Sequence, residues 1–182
     1  MRRTLLIFLT TLLLCACDSR DAPFGLKWSS SIKNFPSKGL LTFNRIKTSD
    51  EEEMIYVTTV PKDDLGQGGY RFYFNNNKLI RIVFSTYDFK GDQDGKLAKE
   101  RYDTIKSILT KRYGSPKKVR ESVYSEGFRF IPCVTNENCG DWSSLFEGKN
   151  TESKLSIEMG LTEDGYRKTS ESSRVVVEFN PN

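Results

Sequence analysis

Apolar positions recur at two different periods along this chain, and the change of period divides it. From Lys96 to Tyr113 they fall at Tyr102, Ile105, Ile108, Leu109 and Tyr113, three or four apart, which is one face of an α-helix. Gly114 stands where a left-handed C-terminal cap belongs, and Pro116 prevents continuation. The opposite face, Lys99, Arg101, Asp103, Lys106 and Lys111, reads as solvated. A shorter helix is predicted over Ser30–Phe35, ended by Pro36.

Elsewhere the period is two. Tyr70 to Phe84 reads as a hairpin, with two aromatic and β-branched runs separated by Asn75-Asn76-Asn77, whose side chains tolerate turn geometry. Leu155, Ile157, Met159 and Leu161 alternate with smaller or polar residues, as do Val175, Val177 and Phe179, the mark of half-buried strands. Further strands are predicted over Leu40–Lys47, Met54–Val60, Val119–Tyr124 and Phe128–Ile131. The order is a short helix, four strands, a long helix and about four more strands. That predicts an α+β fold of two helix-plus-antiparallel-meander halves, about 24–88 and 96–182, within a single domain over 24–182. The layout is similar to the small helix-plus-meander domains of outer-membrane-assembly lipoproteins and to protein inhibitors built from two such units. The likeness is one of shape and implies no function.

The N-terminus changes the picture. Arg2 and Arg3 precede a short apolar run, Thr4 to Leu14, too short for the ~20 residues that span a bilayer. The four residues Leu14-Cys15-Ala16-Cys17 that follow resemble the lipobox of bacterial lipoproteins. The resemblance implies that residues 1–16 are a removed signal peptide and that Cys17 carries a diacylglycerol. It also implies that residues 17–23 are a short lipidated tether; six extended residues from Asp18 to Pro23 reach roughly 20 Å. In enterobacterial lipoproteins an Asp after the lipidated cysteine retains the protein in the inner membrane, which makes Asp18 a candidate sorting signal. The expected location is the cell envelope, facing the periplasm, with the inner membrane favoured over the outer.

After processing, two thiols are left, Cys133 and Cys139, separated by polar, turn-prone residues. An exported domain meets an oxidising compartment, so they are expected to form a disulfide. Zinc fails on ligand count, because the chain has no histidine. Without Arg2 and Arg3 the 28 basic residues fall to 26 against 24 acidic, a net charge near +2, and no long basic block is present, so nucleic acid is not an expected partner.

The lack of histidine also removes Ser-His-Asp and Cys-His catalysis. Ser30/Lys33 and Ser115/Lys118 match Ser-x-x-Lys, and Lys168-Thr169-Ser170 is a little like the Lys-Thr-Gly strand of penicillin-binding enzymes. Both pairs are expected by chance in a chain so rich in Ser and Lys. Lys90 to Gly95 holds an Asp-x-Asp-Gly kernel, but an EF-hand register fails, and the segment reads better as a turn that places Asp92 or Asp94 at the positive end of the long helix. Two acidic runs, Asp50 to Glu53 and Asp63-Asp64, are the material for a histidine-free hydrolase, the least favoured reading. Phe128, Phe130, Trp142 and Phe146 flank the cysteine loop and are either core residues or a binding patch. The expected function is non-catalytic. The leading reading is a lipid-anchored envelope protein that binds another protein, as an inhibitory or immunity-type module; the alternative is a structural accessory subunit of an envelope assembly complex. No cofactor or metal is expected, and the membrane is met through Cys17.

Overall fold

The computed structural model describes residues 20–35, 44–47, 49–124, 129–136, 138–162 and 167–182. Cys17, Asp18, Phe128 and the lipobox residues 14–16 lie outside the described residues, as does the predicted beginning of the Leu40 strand. The chain runs β1 (Asn44–Lys47), β2 (Glu52–Val57), β3 (Gly69–Asn75), β4 (Lys78–Ser85), β5 (Phe89–Lys90), α1 (Lys96–Tyr113), β6 (Lys118–Val123), α2 (Phe130–Val134), β7 (Gly140–Glu147), β8 (Thr151–Leu161) and β9 (Lys168–Pro181). Two 3-10 turns, Pro23–Gly25 and Ile32–Asn34, precede β1. The architecture is α+β and dominated by one antiparallel sheet. Its strand order is β1-β2-β3-β4-β9-β8-β7-β6, with β5 paired to β9 off that path.

The predicted hairpin is present, with its turn shifted by one residue. Asn75 belongs to β3, and the two-residue turn is Asn76-Asn77, with φ of 47° and 63°. Two successive positive φ values match the right-handed twist of the flanking strands, and asparagine tolerates them. The predicted helix over 96–113 is α1, which buries Ala98, Tyr102, Ile105 and Leu109. Its start follows from Asp92, a buried carboxylate that accepts from the backbone N–H groups of Leu97 (2.9 Å) and Ala98 (3.0 Å) and from the Ser173 hydroxyl. The segment thus places an anion at the helix N-terminus. At the other end, Gly114 has φ 87° and ψ −171°, a glycine conformation but not the left-handed helical one expected.

Several expectations are corrected. Ser30–Phe35 is shortened to the 3-10 turn Ile32–Asn34. Phe128–Ile131 does not continue as a strand: Phe130–Val134 is helical, because Phe130, Ile131, Cys133 and Val134 all need burial, which one short helix achieves and an alternating strand does not. Pro132 is tolerated there, within the first turn, where its missing N–H costs nothing. Residues 20–23 are in contact with the domain expected to begin at residue 24: Asp21 bridges to Lys27 and Pro23 is buried. Finally, the face of α1 expected to be solvated is so only in part: Asp103 and Lys111 are exposed, whereas the other three cations have partners. Lys99 lies over the Phe130 ring (3.7 Å), Arg101 donates to the Leu65 carbonyl, and Lys106 pairs with Glu121. Long stems carry these charges to partners at the edge of the packed surface.

The main hydrophobic core packs on one side of the sheet. Phe24 meets Tyr70 edge-on (5.0 Å), Phe35 lies against Phe72 (4.8 Å), and the Trp28 indole N–H donates to Thr151 Oγ1 (3.0 Å). α1 approaches the same side, where the Tyr102 hydroxyl reaches Ser144 Oγ (2.8 Å). This is the covered face. Burying about twenty-five large side chains on one side of a sheet is what orders the strands, at roughly 1.5–3 kcal/mol for each fully buried one.

Candidate functional site

The cysteine loop is a cross-link: Cys133 and Cys139 are disulfide-bonded, with Cα atoms 4.9 Å apart, and both are buried. The aromatic residues around it are mostly core. Phe146 is fully buried and Phe130 nearly so. Trp142 is half-buried, edge-on to Phe130 at 5.1 Å, with the Lys99 ammonium 5.0 Å from its ring. Trp142, Phe146 and Phe130 therefore do not make an exposed binding patch; their side chains alternate onto the covered face of β7 and the inner side of α2.

Other motif residues also have structural partners. The Ser30 hydroxyl donates to the Lys27 carbonyl (2.7 Å) within a turn. Ser115 lies in a loop and Lys118 in a strand, so this pair is not one helical turn apart. Lys168 pairs with Glu158 (3.7 Å). Four carboxylates of the acidic runs have partners as well. Asp63 accepts from the N–H groups of Leu65 (2.9 Å) and Gly66 (3.3 Å) and from the Tyr70 hydroxyl. Asp64 holds Arg112, Glu53 holds Arg45, and Asp50 meets Lys47 at 3.0 Å. Burial and the Asp63 carboxylate push the Tyr70 phenol well above its usual range, which fixes it as a donor.

A second polar cluster lies beneath α1. Glu121 of β6 accepts from Tyr102 (2.9 Å), Ser144 (3.2 Å) and Lys106. Burial would raise this carboxyl, and the bonds from Lys106 and Tyr102 outweigh it and hold it below the usual carboxylate range. Burial and the Glu121 carboxylate in turn raise the Tyr102 phenol. A carboxylate kept ionised and saturated with donors is a clasp between helix and strand.

Among the described residues, the surface least used up in this way is the other side of the sheet, although Val83, Ser143, Arg174 and Val176 are buried within it. Strand register puts Tyr56 beside Arg71, Arg71 beside Val83 and Val83 beside Glu178. The row continues from Glu178 to Lys154, Leu145 and Lys118. It crosses every strand of the main path except β1, and Asn44 of β1 completes it beside Tyr56. Eight strands at ~4.8 Å spacing make this face about 34 Å wide. Beside the row, Met54 and Tyr73 are neighbours, and the Arg81 guanidinium stacks over the Tyr73 ring at 4.1 Å.

Charge on this face is uneven. Arg81 lies near Glu178 (3.9 Å), Arg174 near Glu158 (3.5 Å) and Arg120 near Asp141 (3.4 Å). Arg71, Lys118 and Lys154 have no carboxylate within ion-pair distance among the described residues, so cations are in excess around β6, whereas Glu147 and Glu152 lie opposite each other at the far end of β7 and β8. Where it meets β6, a cleft of 470 Å3 opens between Arg120, Tyr124, Val134, Thr135, Asp141 and Lys154. The sequence does not announce this face, because the residues that form it are the polar halves of alternating strands. Their strand registers bring them together, and those registers pair residues up to about a hundred positions apart.

Among the described residues, no helix is long and apolar enough to cross a membrane, and no group of three or more potential metal ligands occurs. Comparison with known proteins returns no match: no family model, no curated protein and no solved structure is similar to this chain.

Proposed function

We propose that the chain is a lipid-anchored envelope protein that acts by binding another protein across the uncovered face of its sheet, as an inhibitory or immunity-type module. The observation that carries this reading is the face itself. At about 34 Å by 20 Å it approaches 700 Å2, close to the ~800 Å2 each partner contributes to a standard protein interface. It also combines tyrosines and arginines, the side chains that most often anchor such interfaces. An arginine stacked on a tyrosine is already ordered, so less side-chain entropy is lost on docking. The alternative, a structural accessory subunit of an envelope assembly, is favoured by a different feature, the open sheet edge at β6.

The shape supports the two-halves reading. β1 to β4 and β6 to β9 are each a meander, and they meet through their last strands, β4 and β9. The turn Ile32–Asn34 precedes the first and α1 the second.

The test is affinity capture of the tagged protein from gently solubilised envelopes. A co-purifying protein lost on Tyr56→Ala combined with Arg71→Glu supports the face. Retention of every partner by that variant, with unfolding unchanged, overturns it. The anchor is tested separately. Cys17→Ser is expected to release the protein from membranes, and Asp18→Ser to move it from the inner to the outer membrane on a density gradient. Membrane association of the Cys17→Ser chain after a high-salt wash contradicts a lipid-only anchor.

A further inference from the structure

We propose that β6 is a docking edge for an extended segment of the partner, added as a further antiparallel strand, and that this segment alternates acidic with small apolar side chains. The proposal rests on the protein-binding reading above and names the chemistry of the partner.

Among the described residues β6 ends the strand order, pairing with β7 on one side only. The Tyr124 N–H donates to the Cys139 carbonyl on the β7 side at 2.6 Å. By the alternation of an antiparallel ladder, the backbone N–H and C=O groups of Val123, Glu121 and Val119 then point to the open side. Three such residues are enough to seat a five- or six-residue strand by main-chain bonds.

The side chains state what that strand must carry. On the covered face the edge shows Val119 and Val123, 46 % and 38 % exposed, on either side of Glu121. Small apolar residues fit there, and Glu121 needs nothing, being saturated by Lys106, Tyr102 and Ser144. On the uncovered face it shows Lys118 and Arg120, with Lys154 and the exposed Tyr124 around the adjoining cleft. Three cations against the single carboxylate Asp141 call for acidic side chains at the matching positions.

The same charges disfavour a second copy of this chain as the natural occupant. Antiparallel β6–β6 pairing that keeps each side chain on its own face must centre on a single residue. Centring on Arg120 sets it opposite itself, and centring on Glu121 does the same for the carboxylate. Centring on Val119 opposes Lys118 to Arg120. Like charges directly opposite destabilise a pair, so these three registers are disfavoured; centring on Ser122 sets no like charges opposite but leaves Lys118 and Val119 outside the pairing, which then runs only from Arg120 to Tyr124. Lysine and arginine on an edge also discourage indiscriminate pairing, which turns the edge from a general liability into one selective for acidic strands.

The experiment uses the intact Cys17→Ser protein and three short peptides. One alternates glutamate and valine, one alternates lysine and valine, and one is the glutamate peptide N-methylated on the backbone positions that would bond to β6. Fluorescence anisotropy should show saturable binding of the first alone, weakening as salt rises, and at least about tenfold weaker with Lys118→Glu plus Arg120→Glu. Unfolding curves of the variant should match the parent, since both side chains are exposed. Equal binding of the N-methylated peptide would show charge attraction without strand addition and overturn the proposal. So would absence of binding, indifference to the charge reversal, or concentration-dependent self-association competing with the peptide. If capture of a cellular partner survives the β6 reversal but is lost with Tyr56→Ala plus Arg71→Glu, the edge proposal falls and the protein-binding reading stands.

Discussion

Gly95 shows how much one position can decide. It caps α1 with φ 69°, and a Cβ there would sit 2.0 Å from the Phe130 ring. Gly95→Ala is therefore expected to cost about 2–4 kcal/mol, through the left-handed backbone and the overlap together, read as a lower urea midpoint at unchanged slope. Glu121 is the second such residue. Glu121→Ala removes the acceptor shared by Lys106 and Tyr102 and should cost about 2 kcal/mol near neutral pH. Its carboxyl is held below the 4.5 of an ordinary glutamate, so its ionised form is favoured by folding. The contribution is complete above about pH 4.5 and fades as pH falls through the lowered value. The gap between parent and Glu121→Gln should narrow over that acid range; a gap that widens there would contradict the assignment.

At the level of elements, the sequence was legible wherever one face of an element is uniformly apolar. α1 and the β3–β4 hairpin meet that condition, and both lie where periodicity places them. β7 does not, and its periodicity predicts no strand. Its covered-face positions are Gly140, Trp142, Ser144 and Phe146, so the alternation is broken by a glycine and by a serine spent on the Tyr102 hydroxyl. α2 departs from the predicted strand for the complementary reason, since four residues out of alternation need burial at once. Its disulfide closes a short loop and should contribute about 2 kcal/mol. Cys133→Ser with Cys139→Ser is expected to lower stability by that amount, and the intact mass of the parent should rise by two hydrogens on reduction. Freely alkylatable thiols in the unreduced, denatured protein would rule the cross-link out. The uncovered face was illegible for a deeper reason: each of its residues is a locally ordinary exposed position, and only strand register makes them neighbours.

For the molecule as a whole, the joint between β4 and β9 sets the cooperativity. Ile82 pairs with Phe179 and Phe84 with Val177, so the two meanders share one ladder and one core. Trp28 sits beside the first meander yet bonds to Thr151 of β8, while Trp142 lies on β7. In each single-tryptophan variant, Trp28→Phe and Trp142→Phe, the fluorescence midpoint of the remaining tryptophan should coincide with that variant's own far-UV circular dichroism midpoint. Separated midpoints would mean that the halves unfold independently. The joint also has a temporal side. No pairing between β4 and β9 forms until residues 176–179 are available, and contacts so distant along the chain carry a large loop-closure cost that slows folding. A chain whose central seam waits for its last strand stays threadable while it is being made, and for a protein proposed to cross a membrane before folding, that delay is an aid to export.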